Sequence, residues 1–440
     1  MNQLGERLTS PLTGRVRVPG DKSISHRALF VSALAAGSSR VEGLNTGEDV
    51  GATLNAVRAL GAHCRLSLDR TQAQVEGCGY SGLTEAEDVI DAGNSGTTLR
   101  LVAGVCATIA GVSVLTGDAS LRRRPMGRVA LPLRRLGATV DGRRGGELPP
   151  LIVRGGSLRG TALETGVASA QVKSALLLAA LGAHGITSIT EPGLSRDHTE
   201  RLLEASGVEL ERSQNTVTVA GGQCPAPLEL RVPGDISSAI FLLVAATLIP
   251  GSDLTVMDVG LNPTRCGALE VLQRMGAQLD VDVLGEESGE PVGRVRARAS
   301  NLRGVEIGGQ QIPSLIDEIP ALAIAAAHAE GETIVTGASE LRVKESDRIG
   351  AVVEGLGVLG ARARALPDGM IVEGPAAWSG GDVDERGDHR IALAFALAGL
   401  TSGKPVRIRR WEAVNTSFPE FWDIVSTAGG ERGSRPGSDP

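Results

Sequence analysis

The sequence predicts an α/β protein of two domains. Each is built from three βαβαββ units, with long apolar helices inside and sheets outside. Three observations carry this reading. The chain has 440 residues, too many for one ordinary core. A segment of one design recurs six times along it. The helix in each copy is apolar on every face, which marks a helix with no side turned to water.

The repeats set the element order. RVPGDKSISHRALFVSALAAGSS runs from Arg17, and RVPGDISSAIFLLVAATLIPGSD runs from Arg231. Four relatives start at Asp91, Glu164, Ser314 and Asp384. Each has a polar turn, a small-residue apolar run, a Gly-containing break and then β-branched residues. The spacing of roughly 70 to 80 residues exceeds that of solenoid repeats. A second helix follows in each of the first five units. AVRALGAHC (from Ala56), PLRRLGATV (Pro132), LLEASGVEL (Leu202) and VLQRMGAQL (Val271) are amphipathic and stop at Gly, and GLGVLGARA (Gly355) matches more loosely. Strand-like runs such as AQVEGC, PLIVRG, TVTVAG and GMIVEG close these units. The sixth closes with a helix through Pro419 to Ala428 instead. Residues 429–440, GGERGSRPGSDP, hold nothing to bury and are expected to be a disordered tail.

Composition narrows the function classes. Aromatic residues make up only 2% of the chain, so its cores must be packed from Ala, Val, Leu and Ile. A net charge of −7 argues against a broad nucleic-acid surface, and any anion site must be a local basic cluster. Five cysteines at 64, 78, 106, 224 and 266 form no CxxC pair and no disulfide framework. They are expected to be free thiols in a reducing compartment. The N-terminus has no apolar signal core, and no apolar run is long enough to span a bilayer, so the expected location is the cytoplasm, with no membrane partner.

Charge gathers at the starts of the repeated helices, where free N–H groups and the macrodipole favour anions. Lys22, Ser23 and Arg27 stand at the first; Asn94, Ser95 and Gly96 at the second; Ser169 and Gln171 at the third, with Lys173 a turn later. The fourth, from Asp235 to Ser238, is nearly uncharged and reads as a crossover. Asp317 and Glu318 open the fifth, and Asp388, His389 and Arg390 the sixth. Two basic loops lie between helices, TGDASLRRRPMG with Arg122, Arg123 and Arg124, and ELRVKESDRIG with Lys344, Glu345 and Arg348. Each feature alone is weak, since an Arg run is usually a solvated face and Ser-x-Gln usually a cap. Together they predict one cleft for a ligand with more than one phosphate or carboxylate.

DKSISHRA, DAGNSGTTLR, LRRRPM, SAQVKSALLLAAL, LSRDHTE, LRVKESDR, GDHRIALAFAL and TSFPEF, in this order from Leu12 to about Thr427, resemble the signatures of the 5-enolpyruvylshikimate-3-phosphate synthases (3-phosphoshikimate 1-carboxyvinyltransferases), and most closely their class II bacterial branch. The resemblance implies the enolpyruvyl transferase fold, an inside-out α/β barrel of two domains joined by two chain crossings. These crossings fall near Pro19-Gly20 and Pro233-Gly234. One domain then comprises 1–19 with 234–428, the other 20–233, and the duplicated opening motif sits at both crossings.

The resemblance also implies the reaction: the enolpyruvyl group of phosphoenolpyruvate is transferred to the 5-hydroxyl of shikimate 3-phosphate, with release of phosphate. No metal or other cofactor is implied, and the chain is expected to be a monomer and a glyphosate target. By motif, Lys22 touches both substrates and takes part in proton transfer. Ser23, Arg27, Ser169, Gln171, Ser195, Arg196, Asp317 and Lys344 hold shikimate 3-phosphate. Asn94, Gly96, Arg124, Gln171, Arg348 and Arg390 hold phosphoenolpyruvate. Asp317 accepts the hydroxyl proton and Glu345 handles the methyl proton. Shikimate 3-phosphate is expected to bind first and close the cleft.

Three positions depart from the family pattern. Ala170 replaces a frequent serine, His198 an aromatic hydroxyl, and Thr416 a lysine that reaches phosphoenolpyruvate in many members. Two other readings stand beside this one. The sister enzyme that uses UDP-N-acetylglucosamine usually carries a cysteine in the loop matching TGDASLRRRPMG, and none occurs there. A module that only binds sugar phosphates would gain nothing from the carboxylates Asp317 and Glu345.

Overall fold

The structure is a computed structural model that describes residues 3–5 and 10–429. The expected tail lies outside the described residues except for Gly429, which is buried at the end of the helix Phe421–Gly429. That helix starts two residues later than the sequence pattern indicates, because Pro419 and Glu420 form a turn.

The chain divides into two compact units. Among the described residues, the first contains the chain up to Pro19, Pro233–Gly285 and the chain from Pro291 onward; the second contains Gly20–Val232 and Glu286–Glu290. Each has its own apolar core. The six repeated segments form six buried helices: α1 (Lys22–Leu34), α2 (Gly96–Cys106), α3 (Ala170–Leu181), α4 (Ile236–Leu248), α5 (Ile319–His328) and α6 (His389–Ser402). In the first unit α4, α5 and α6 pack pairwise; in the second α2 packs on both α1 and α3. The absence of a polar stripe is explained by this packing. From Val172 to Leu181 every residue of α3 is buried, including the charged Lys173. Each large apolar side chain so enclosed stabilises its unit by about 1.5–3 kcal/mol relative to exposure.

Among the described residues, six small sheets accompany these helices. Five have four strands, each an antiparallel trio with one parallel edge strand; the sixth has three strands. The edge strands are far from their partners in sequence. Thr13–Arg17 runs parallel to Asp253–Gly260, and Glu229–Arg231 runs parallel to Ala36–Glu42. The outer helices end as the Gly signals indicate: Gly137 and Gly276 are left-handed caps at φ 111° and 103°. The duplicated motif explains its own glycine. A Cβ on Gly20 would lie 1.7 Å from the Gly43 carbonyl oxygen, so no side chain fits there.

One core histidine makes acid stability predictable. His328 ends α5, stacks on Trp378 with ring centroids 4.8 Å apart, and shares a 2.9 Å hydrogen bond with the Thr401 hydroxyl. Burial pushes its pKa down from 6.5 to about 4. The neutral ring therefore contributes stability that is complete above pH 6.5 and is lost as the pH falls towards 4. Between pH 6.5 and 5 the loss is on the order of 2 kcal/mol. Unfolding midpoints at these two pH values should separate less in His328→Gln than in the natural sequence; equal separations would refute the assignment.

Candidate active site

In the second unit the site begins at α1. Asp21 caps the helix by accepting the Ile24 N–H at 2.9 Å, which leaves Lys22 as its first residue. The Lys22 ammonium lies 2.9 Å from Oδ2 of Asp49, a residue the sequence reading did not single out. The only sequence signal for it is an acidic pair, Glu48-Asp49, opening the next helix. His26, one turn on, is fully buried against Thr53 at 2.6 Å; burial, then the charges of Lys22 and Arg27, hold its pKa well below the usual value. Arg27 is also buried. It donates to the Thr199 hydroxyl (2.8 Å), the Ser174 hydroxyl (2.9 Å) and the Ser23 carbonyl (2.8 Å). Burial pulls its pKa down to about 10; the charge of Glu200 opposes this and that of Arg196 adds to it.

At α2 the Ser95 hydroxyl accepts the Thr98 N–H, so Gly96 lies in the first turn. Arg124 donates to Asn94 Oδ1 at 2.9 Å, and Asn94 Nδ2 donates to Asp118 at 2.7 Å. Arg100 donates to Gln171 Oε1 and to the Pro125 carbonyl, and Gln171 donates to the Thr97 hydroxyl at 2.9 Å. Asn94, Gly96, Arg124 and Gln171 are thus brought together, with Arg100 as an unforeseen fifth member. Its signal was its position one helical turn after Gly96.

At α3, Ser169 is the N-cap but its side chain caps nothing. Its N–H donates to Glu191 Oε1 at 2.9 Å; Glu191 Oε2 accepts the Ser195 hydroxyl at 2.8 Å and the Lys173 ammonium at 2.8 Å. Lys173 also pairs with Glu200 at 2.8 Å. Burial alone would lower the Lys173 pKa, but the charges of Glu200 and Glu191 outweigh it and hold the ammonium above its ordinary value. Arg196 is half-buried beside Ser195. His198 is wholly buried, with Nδ1 2.7 Å from Glu290 Oε1. It therefore sits inside the packing, next to a carboxylate 92 residues away.

The first unit holds a second set. Arg348 is 1% exposed, and its nitrogens are matched to three carboxylates: Asp388 at 2.8 Å, Asp317 at 3.1 Å and Glu345 at 2.6 Å. Burial would lower its pKa; the charges of Asp388, Glu345 and Asp317 reverse this and raise it. Lys344 reaches the same Asp317 oxygen at 3.2 Å. Asp388 also caps α6 through the Arg390 N–H, and the Arg390 guanidinium donates to the Asp317 carbonyl at 3.1 Å. Asp317, Lys344, Glu345, Arg348 and Arg390 thus form one network. The start of α4 is less neutral than it reads: Arg265, 2% exposed, bonds Ser237 and Asp235, and Ser237 donates to the buried Glu318. The Thr416 hydroxyl closes its own turn on the Ala413 carbonyl at 2.9 Å.

The second unit therefore offers clustered donors for anions. The first offers three carboxylates around one guanidinium, of which Asp317 and Glu345 are the sequence-predicted proton carriers. Among the described residues no group of His, Cys, Asp or Glu is arranged to hold a metal ion, and no helix is long and apolar enough to cross a membrane.

Comparison with known proteins bears on both sets. The family model described as EPSP synthase (3-phosphoshikimate 1-carboxyvinyltransferase) matches residues 7–425. The chain is 52% identical over 416 residues to the 3-phosphoshikimate 1-carboxyvinyltransferase of Pelotomaculum thermopropionicum, covering 94% of this chain and 96% of that one. Against that of Synechococcus sp. (strain JA-3-3Ab) the figures are 50% over 413 residues and 93% of each chain. The structure superposes on EPSP synthase from Acinetobacter baumannii with a TM-score of 0.87 at 41% identity, covering 98% and 99% of the two chains. The enolpyruvyl transferase NikO from Streptomyces tendae, 19% identical with a TM-score of 0.78 over 97% of each chain, shares the fold. The chain belongs to the EPSP synthase (3-phosphoshikimate 1-carboxyvinyltransferase) family.

Proposed function

We infer that the chain transfers the enolpyruvyl group of phosphoenolpyruvate to the 5-hydroxyl of shikimate 3-phosphate by addition and elimination, in the shikimate pathway to aromatic amino acids. Family membership over most of the chain carries this reading. The acceptor oxygen bonds to C2 of phosphoenolpyruvate while C3 gains a proton and becomes a methyl group. The C2–O bond to phosphate then breaks, and the methyl group returns a proton. One acceptor for the hydroxyl proton and one donor–acceptor at C3 suffice.

Asp317 and Glu345 fill these two roles, in that order. Lys344 and Arg348 both contact Asp317 Oδ1 and so fix its direction. Lys22 contacts both substrates and passes a proton to the leaving phosphate. Ser23 and Arg27 hold the carboxylate end of the shikimate, and Gln171 lies against its ring. Ser169, Ser195, Arg196 and Lys344 take the 3-phosphate. Asn94, Gly96, Arg124, Arg348 and Arg390 take phosphoenolpyruvate. The chain works as a cytoplasmic monomer.

Phosphate release tests the reaction. Purified protein should release phosphate from phosphoenolpyruvate with shikimate 3-phosphate, and Lys22→Ala should abolish it. Release with UDP-N-acetylglucosamine instead would overturn the acceptor assignment.

Gly96 carries a prediction of its own. A Cβ there would lie 3.0 Å from Arg124 Nη1 and 3.1 Å from Arg100 Nη1, both ends of long side chains that can yield by a few tenths of an ångström. The fold tolerates Ala, but the space beside two cations shrinks. Glyphosate, a small anion competing for that space, should inhibit the natural enzyme, and Gly96→Ala should raise its inhibitory concentration at least about tenfold, about 1.4 kcal/mol. Unchanged inhibition would defeat the placement.

A further inference from the structure

Two donors at the place assigned to the 3-phosphate, the Ser169 N–H and the Ser195 hydroxyl, are already engaged. Glu191 follows the strand Ile186–Thr190 and is 4% exposed, and its backbone N–H is tied to the Asn215 carbonyl at 3.0 Å. Its carboxylate takes the Ser169 N–H through Oε1, and the Ser195 hydroxyl and the Lys173 ammonium through Oε2. A serine hydroxyl has one proton. While that proton points at Glu191, Ser195 can present only lone pairs to an incoming phosphate. Lys173 cannot offset the negative charge alone, because it is shared with Glu200, whose Oε2 is buried without a partner. The Glu191 carboxylate thus keeps a negative charge within hydrogen-bond distance of the donors at the start of a helix otherwise suited to anions.

We propose that Glu191 is a resident anion of the 3-phosphate site, holding the donors of Ser169 and Ser195 until the substrate phosphate exchanges for it. This rests on the placement of the 3-phosphate at the start of α3. Glu191 thereby limits the affinity for shikimate 3-phosphate and for the product that carries the same phosphate, which keeps release fast. In Glu191→Gln the amide oxygen still accepts the Ser169 N–H. The amide NH2 that replaces Oε2 can accept neither the Lys173 ammonium, which turns wholly to Glu200, nor the Ser195 hydroxyl proton, which is freed for a phosphate, and the repelling charge is gone. Lys173 keeps Glu200.

Calorimetric titration with shikimate 3-phosphate tests this in Glu191→Gln, Glu191→Asp and Ser195→Ala, each checked by a thermal melt. Glu191→Gln should bind at least threefold more tightly, with KM for shikimate 3-phosphate lowered and KM for phosphoenolpyruvate unmoved, a split that a general loss of structure would not give. Glu191→Asp keeps the charge beside Lys173 but cannot span both donors; it should show a smaller gain and serves if the Gln variant does not fold. Equal or weaker binding in the Glu191 variants, with Ser195→Ala weakened, overturns the role of Glu191 alone. Unchanged binding in Ser195→Ala overturns the placement of the phosphate and the proposal with it.

Discussion

Asp317→Asn should lower kcat by about 10²–10⁴, the usual span for loss of a positioned proton acceptor. The substitution preserves shape and removes basicity. Asp317 Oδ1 is shared by Lys344 at 3.2 Å and Arg348 at 3.1 Å, so its lone pairs are directed and its charge is balanced. In the variant Arg348 keeps Asp388 and Glu345, and the network survives with one neutral member. KM for either substrate should therefore move much less than kcat, and the melting temperature by only a few degrees. Steady-state kinetics with both substrates varied gives the answer. A kcat within tenfold of the natural enzyme would remove Asp317 from the chemistry.

The largest stability effect should come from Arg348→Met. Methionine fills the volume but leaves Asp388, Asp317 and Glu345 without their common cation. Asp388 is fully buried, so its charge has no access to solvent. Removing one partner of a buried pair typically costs about 3–5 kcal/mol, because the remaining charge is stranded. Arg348→Lys should not rescue fully, since one ammonium cannot meet carboxylates in three directions. Asp388→Asn added to Arg348→Met should cost less than the sum of the two single changes, because the pair shares one interaction. Denaturant unfolding, followed for each of the two units, measures this; an unchanged midpoint for the unit carrying Arg348 would contradict the account.

The sequence made the fold readable where a pattern is local. The run ALLLAAL needs no partner to be recognised as buried, and the glycines at 137 and 276 mark helix ends by their own backbone preference. Pairings across the chain were not readable. Nothing near Thr13–Arg17 says that it completes a sheet with residues 240 positions later. The site divides the same way. Lys22, Gly96, Gln171 and Arg348 stand out because they occupy equivalent helix starts or basic loops. Their partners Asp49 and Arg100, together with Glu191 at the start of α3, do not, because each is an ordinary charged residue until the fold brings it within 3 Å of its neighbour. Arg348 shows the limit: its motif marks it only as a proposed substrate clamp, while the fold makes it the cation on which three carboxylates depend.

The central claim is that a methyl group forms and is lost at C3 through the carboxylates of the first unit. Turnover in D2O, followed by proton NMR of the enolpyruvyl product, tests it most directly. The account predicts deuterium in the product methylene with the natural enzyme, because an added deuteron and two protons compete to leave. It also predicts slowed incorporation in Glu345→Gln. Product formed in D2O without label at C3 would contradict the addition and elimination steps, and labelling unaffected by Glu345→Gln would take that carboxylate out of them.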